Sequence, residues 1–151
     1  MNDNKISDNL NSDKSHSLRN IANLPSVLLI EDDVINASVI EKFLRRDYNV
    51  EVAFTSLQSI EMAAANKYSI ILLDINLGRG MNGIDVLNEI KKLAINVNTP
   101  IIASTAYTMK GDKEKLLQAG FDEYISKPYT MNEILVKIKQ VMDKFNKIPK
   151  P

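Results

Sequence analysis

Cysteine is absent from this chain, which excludes disulfides, thiolate metal sites and cysteine nucleophiles together. Such a composition fits a reducing compartment, and the expected location is the cytoplasm. No apolar run approaches the roughly 20 residues needed to cross a bilayer, and the opening stretch, MNDNKISDNLNSDKSHSLRN, lacks the apolar core of a secretory signal. Neither sign of charge dominates. Nineteen basic residues balance nineteen acidic ones, so net charge gives no case for nucleic acid as a partner. Histidine occurs once, at His16, in a polar stretch where a solvated side chain is the ordinary reading. That stretch is rich in Asn, Ser and Asp, and residues 1–24 read as a disordered polar tail.

What is present is 151 residues, 44% hydrophobic and 25% charged, as expected of one globular domain with a single core. From Ser26 onward short apolar runs alternate with amphipathic segments. Strands are predicted at 26–31, 50–54, 69–74, 100–105 and 121–126. The first, third and fourth are almost continuously apolar, as parallel strands covered on both faces should be, whereas VEVAF suits a strand nearer an edge. Helices are predicted at 34–46, 57–66, 83–94, 109–119 and 131–146. Their signals are Asp33 as an N-cap, Ser56 as a second, Gly120 as a C-terminal stop, and a Thr130/Glu133 capping box. The expected inward faces include Leu57, Ile60 and Ala64 on the second helix and Ile84, Leu87 and Ile90 on the third. Strict alternation predicts an α/β fold, a doubly wound five-stranded parallel sheet in the flavodoxin-like order 2-1-3-4-5 with helices on both faces.

In that order the acids ending strands one and three, Glu31, Asp32 and Asp74, meet at the switch point where such sheets bind ligands. Three close carboxylates repel one another unless a cation lies among them. Mg²⁺ is the expected ion, since it favours one or two carboxylates, several waters and a phosphate. The backbone carbonyl of Asn76 would complete the protein's share. Any one of these acids alone reads as a solvated loop residue; all three with Lys127 read as a site. An aspartate there can act as a nucleophile toward a phosphoryl group, with cation and lysine neutralising the phosphoryl oxygens. A hydroxyl of Ser104 or Thr105 would hydrogen-bond a third oxygen.

The segments LLIEDD (28–33), ILLDIN (71–76), STAY (104–107) and GFDEYISKP (120–128) resemble, in order and spacing, those of response regulator receiver domains. The match spans essentially all of 26–146, and the segment 104–128 particularly resembles receivers of hybrid kinases and single-domain phosphorelay proteins. The resemblance implies that Asp74 is the phosphoacceptor and that Glu31 and Asp32 support Mg²⁺. It further implies that Thr105 is a switch hydroxyl, Tyr124 an aromatic that turns with it, and Lys127 the phosphoryl-binding cation before a cis proline. Thr105 also reads as an ordinary β-branched strand residue, and Tyr124 as a fixed core aromatic. Asn76 and Tyr107 fall where the family tunes dephosphorylation. The loop NLGRGMNG (76–83) departs from the family: it lacks proline, is one residue longer, and carries Gly78 and Gly80, whose freedom of backbone angle is the expected reason for glycine.

On this reading residues 25–147 form the receiver and 148–151 a tail. The expected function is that of a single-domain response regulator. It would take a phosphoryl group from a sensor histidine kinase or a histidine phosphotransfer protein, then signal or pass the group on. Its output face would be helix four, strand five and helix five, with the chain a monomer or weak dimer that is not an enzyme. Three alternatives stand beside it. One is a receiver-like interaction module that is not phosphorylated, against which the full set of acids, threonine and lysine speaks. Another is a Mg²⁺-dependent phosphohydrolase, although Asn76 stands where a second acid belongs. Flavin binding is the third, disfavoured by the acidic first loop EDDVINAS.

Overall fold

The structure, a computed structural model, describes residues 23–106 and 109–147. The readings made of His16, Tyr107, residues 1–22 and residues 148–151 therefore fall outside the described residues.

Within the described residues, strands and helices alternate without exception. They run β1 (Ser26–Ile30), α1 (Val34–Leu44), β2 (Asn49–Ala53), α2 (Ser56–Ala65), β3 (Ile70–Asp74), α3 (Gly83–Lys92), β4 (Ile101–Thr105), α4 (Asp112–Ala119), β5 (Glu123–Ser126) and α5 (Met131–Asn146). The strands form one parallel sheet in the order β2-β1-β3-β4-β5, as expected, with β2 at an edge. Every residue of β3 and β4 is buried.

Period-two alternation sorts the sheet's side chains into two cores. Leu28, Ile30, Ile71, Leu73, Ile101 and Ala103 pack with residues of α2, α3 and α4. Val27, Leu29, Ile70, Leu72, Ile102 and Ile125 pack on the other side, with residues of α1 and α5. The same alternation places Asp74 and Ser104 on the α1/α5 side, and Thr105 and Tyr124 on the other.

Helix boundaries follow local chemistry. Asp33 caps α1, its Oδ1 accepting from Asn36 N at 2.8 Å. Thr130 and Glu133 form the expected capping box of α5, and α4 stops at Gly120 with φ 112°. Its start is later than expected. Gly111, with φ 98°, turns the chain, so helix begins at Asp112 rather than 109.

Helix α2 corrects the sequence expectation by one position. Thr55, not Ser56, is the N-cap, its Oγ1 accepting from Gln58 N at 3.1 Å. The shift turns Ser56, Ser59 and Ala63 inward and leaves Leu57 66% exposed. Small side chains let this helix lie close to the sheet. Ser59 satisfies its buried hydroxyl on the Ser56 carbonyl at 2.7 Å. In α3, Val86 joins Leu87 and Ile90 in the core, while Ile84 is 37% exposed instead of inward.

Candidate functional site

Parallel register delivers the acids to one place. Ile30 of β1 pairs with Leu73 of β3, so Glu31 and Asp74 follow side by side. Ser104 pairs with Asp74, and Ser126 with Thr105, which brings Lys127 to the same edge. The Lys127 amide then donates to the Thr105 carbonyl at 2.7 Å, ahead of a cis Lys127–Pro128 bond.

Among the predicted site residues, Glu31, Asp32, Asp74 and Lys127 come together. Glu31, Asp32 and Asp74 each offer an oxygen within 4.8 Å of the others. Glu31 and Asp74 are buried, 3% and 4% exposed, whereas Asp32 faces solvent. Ionisable groups so enclosed are rare unless paired. Lys127 Nζ donates to Asp74 Oδ2 at 2.8 Å and to Glu31 Oε2 at 3.2 Å. Even so, one ammonium faces three carboxylates. Burial, and next the charge of Asp74, hold the Glu31 carboxyl above its ordinary pKa in spite of Lys127. Burial works to lower the Lys127 pKa, but the hydrogen bond to Asp74 and the charges of Asp74 and Glu31 outweigh it and raise the value. Such an arrangement suits a hard cation that takes carboxylate oxygens at about 2.0–2.1 Å and keeps several waters.

Other predicted residues frame this cluster. Asn76 donates its backbone N–H to Asp74 Oδ1 at 2.9 Å, which fixes its peptide unit beside the acids. Thr105 is fully buried at the end of β4. Tyr124 is half-buried on β5, and Lys113 of α4 lies over its ring, with Nζ 5.6 Å from the centroid. Thr105 and Tyr124 thus sit on neighbouring strands, on the sheet side opposite to the buried acids. Ser104 is engaged elsewhere, its Oγ 3.2 Å from Tyr129 Oη.

Sequence reasoning missed three supports. Asn36, one turn into α1, donates its side-chain amide to Glu31 Oε2 at 2.7 Å. Its signal was the Asp33 cap itself, since a helix starting there points its first turn back at the acids. Tyr129 holds Ser104 and carries no signal beyond its place after the cis proline. Gly78 donates its N–H to Asp32 Oδ2 at 2.9 Å. Its φ is not positive, so backbone freedom is not why glycine stands there; Gly80, with φ 93°, does need that freedom. Asn82, at the far end of this loop, is the N-cap of α3, its Oδ1 accepting from Asp85 N at 3.0 Å.

The family profile described as "Response regulator receiver domain" matches residues 27–139. Among curated proteins, the response regulator ArlR of Staphylococcus saprophyticus is 33% identical over 120 residues, covering 79% of this chain and 53% of ArlR. The cell cycle transcriptional regulator CtrA of Caulobacter vibrioides is 34% identical over 117 residues, covering 77% of this chain and 49% of CtrA. The aerobic respiration control sensor protein ArcB of Escherichia coli is 36% identical over 120 residues, which are 78% of this chain and 15% of ArcB. The chain therefore spans about half the length of the first two relatives and a small part of the third. Among solved structures, the receiver domain of sensor histidine kinase PA1611 from Pseudomonas aeruginosa aligns with a TM-score of 0.72 at 32% identity, over 80% of this chain and 98% of that one. That protein holds a magnesium ion in its active-site cleft. A CheY-like receiver domain protein from Methanospirillum hungatei aligns with a TM-score of 0.74 at 29% identity, over 82% of this chain and 98% of that one. The profile match encloses the whole acidic cluster together with Lys127, and the chain belongs to the response regulator receiver domain family.

Proposed function

We propose that this chain accepts a phosphoryl group on Asp74 from a phosphohistidine donor, in a reaction supported by Mg²⁺. The observation that carries this is the buried Asp74 carboxylate, 2.8 Å from the Lys127 ammonium and flanked by Glu31 and Asp32. In the transfer a carboxylate oxygen of Asp74 attacks phosphorus, the P–N bond breaks, and the donor imidazole leaves with the electron pair and takes up a proton. Two anions must meet for this. Lys127 meets that need by donating to the oxygens that gather charge, its ammonium already held at the site by Asp74 and Glu31. Glu31, Asp32, Asp74 and the Asn76 carbonyl would hold the Mg²⁺, which supplies further charge neutralisation at the phosphoryl oxygens when bound. Asn36 and the Asp33 amide keep Glu31 in place, at 2.7 and 3.2 Å.

Residues 25–147 act as the receiver unit, with 1–24 and 148–151 as tails. Thr105 and Tyr124 act as the switch, shifting an existing balance of conformers on the α4–β5–α5 face. Donors are a sensor histidine kinase or a histidine phosphotransfer protein, met in the cytoplasm by a monomer or weak dimer. The aspartyl phosphate is a signalling state rather than a catalytic intermediate, lost only by slow hydrolysis. Incubation with acetyl phosphate and Mg²⁺, followed by intact mass measurement, should give a single phosphoryl adduct. The adduct should vanish in Asp74→Asn or when Mg²⁺ is chelated. An adduct that survives Asp74→Asn contradicts the assignment.

A further inference from the structure

The loop that departs from the family presses on the exposed member of the acidic cluster. Gly78 N donates to Asp32 Oδ2 at 2.9 Å, the only hydrogen bond of that side chain among the described residues. A Cβ added at Gly78 would stand 2.9 Å from the same oxygen, nearer than a carbon and an oxygen approach without one of them moving. Gly80 turns the loop with a φ of 93° and passes close to α2, where an added Cβ would meet Ser56 Oγ at 3.2 Å. Its far end is closed by the Gly83 N–H on the Ile75 carbonyl at 3.0 Å. A Cβ at Gly83 would lie 2.7 Å from the Asp74 carbonyl oxygen, so the start of α3 is packed directly on β3. An exposed carboxylate with a single partner takes its rotamer from that partner.

We propose that Gly78 is a positioning residue for the metal site: its N–H holds Asp32 in the rotamer that brings an oxygen within 4.8 Å of Glu31 and Asp74. Glycine suits the position because a Cβ would crowd Asp32 Oδ2 and make that flexible carboxylate shift away from the loop amide. The loop thus supplies to Asp32 from its backbone an orienting contact of the kind that Glu31 receives from the Asp33 amide and Asn36. The inference rests on Glu31, Asp32 and Asp74 being a Mg²⁺ site. Since φ at Gly78 lies in the range open to other residues, alanine there should leave the fold intact and displace Asp32.

Titration of MgCl₂ into the full chain by calorimetry tests this, using wild type, Gly78→Ala and Asp32→Asn. Loss of an orienting contact to a ligand should weaken Mg²⁺ binding about tenfold in Gly78→Ala. Phosphorylation by acetyl phosphate should regain the wild-type maximal rate at saturating Mg²⁺, because only the ligand's placement has changed. Gly78→Ala binding Mg²⁺ like wild type, while Asp32→Asn binds poorly, overturns the role of Gly78. Asp32→Asn binding like wild type instead overturns the metal site beneath it. If Gly78→Ala does not fold, the Gly78 amide resonance in ¹⁵N-labelled protein decides. It should move upfield in folded Asp32→Ala, and an unmoved resonance overturns the proposal.

Discussion

Glu31 is the residue on which the charge balance of the site turns. Its raised pKa means that the folded chain holds the Glu31 proton more tightly than the unfolded chain does. The stabilisation from that proton is fully present below the ordinary value of 4.5 and is lost as pH rises through the raised value. Lys127, also raised, contributes below its ordinary 10.5 and loses that contribution only as pH climbs past its raised value, so it stays constant across the acid window. In thermal unfolding without divalent cation, Glu31→Gln should therefore gain on wild type as pH rises from 5 to about 7. Added Mg²⁺ should favour wild type, and more at the higher pH, because proton and cation compete for the same oxygens. An equal Mg²⁺ effect at both pH values would speak against Glu31 as part of the ion's site. The residues of this cluster were legible because each ends an apolar strand run. Asn36 and Gly78 were not, since one needs the helix's direction and the other the closeness of a loop 46 positions away.

At the scale of elements, the two ends of the sheet do different work. At the carboxyl edge the charged cluster has too many like charges for stability alone. At the amino edge a hydrogen-bond network centred on Asn96 ties the α2–β3 and α3–β4 connections together. Asn96, fully buried, accepts from Tyr68 N at 3.1 Å and from Thr99 Oγ1 at 2.8 Å. Its amide donates to the Ala63 carbonyl at 2.6 Å and the Asn66 carbonyl at 2.7 Å. Replacing it by leucine leaves several buried backbone groups unpaired, and a loss of about 3 kcal/mol is expected in denaturant unfolding. Mg²⁺ affinity should hold, because the network lies at the opposite end of the strands. Element types and order were readable from apolar runs and turn residues. The face of α2 was not: Thr55 and Ser56 are both good caps, and packing against the sheet chose the frame that turns small residues inward. The start of α4 was missed for a related reason, since Gly111 was not weighed as a left-handed break.

Across the whole molecule, one topology explains why four distant segments make one site. In the order 2-1-3-4-5, one of the few that right-handed crossovers leave open, β1 and β3 are neighbours, and parallel register aligns their last residues. Alternation along β4 and β5 puts Thr105 and Tyr124 on the sheet side away from the buried acids, facing the layer of α2, α3 and α4. No helix among the described residues is long and apolar enough to cross a membrane. The proposed acceptor chemistry comes down to one bond, between phosphorus and a carboxylate oxygen of Asp74. Borohydride reduces an aspartyl phosphate to homoserine, so reduction after acetyl phosphate and Mg²⁺ treatment, followed by peptide mapping, reports the modified position directly. Homoserine at position 74, absent when Mg²⁺ is chelated, is the result predicted; homoserine at position 32 instead, or a phosphoryl group retained on another side chain, would contradict it.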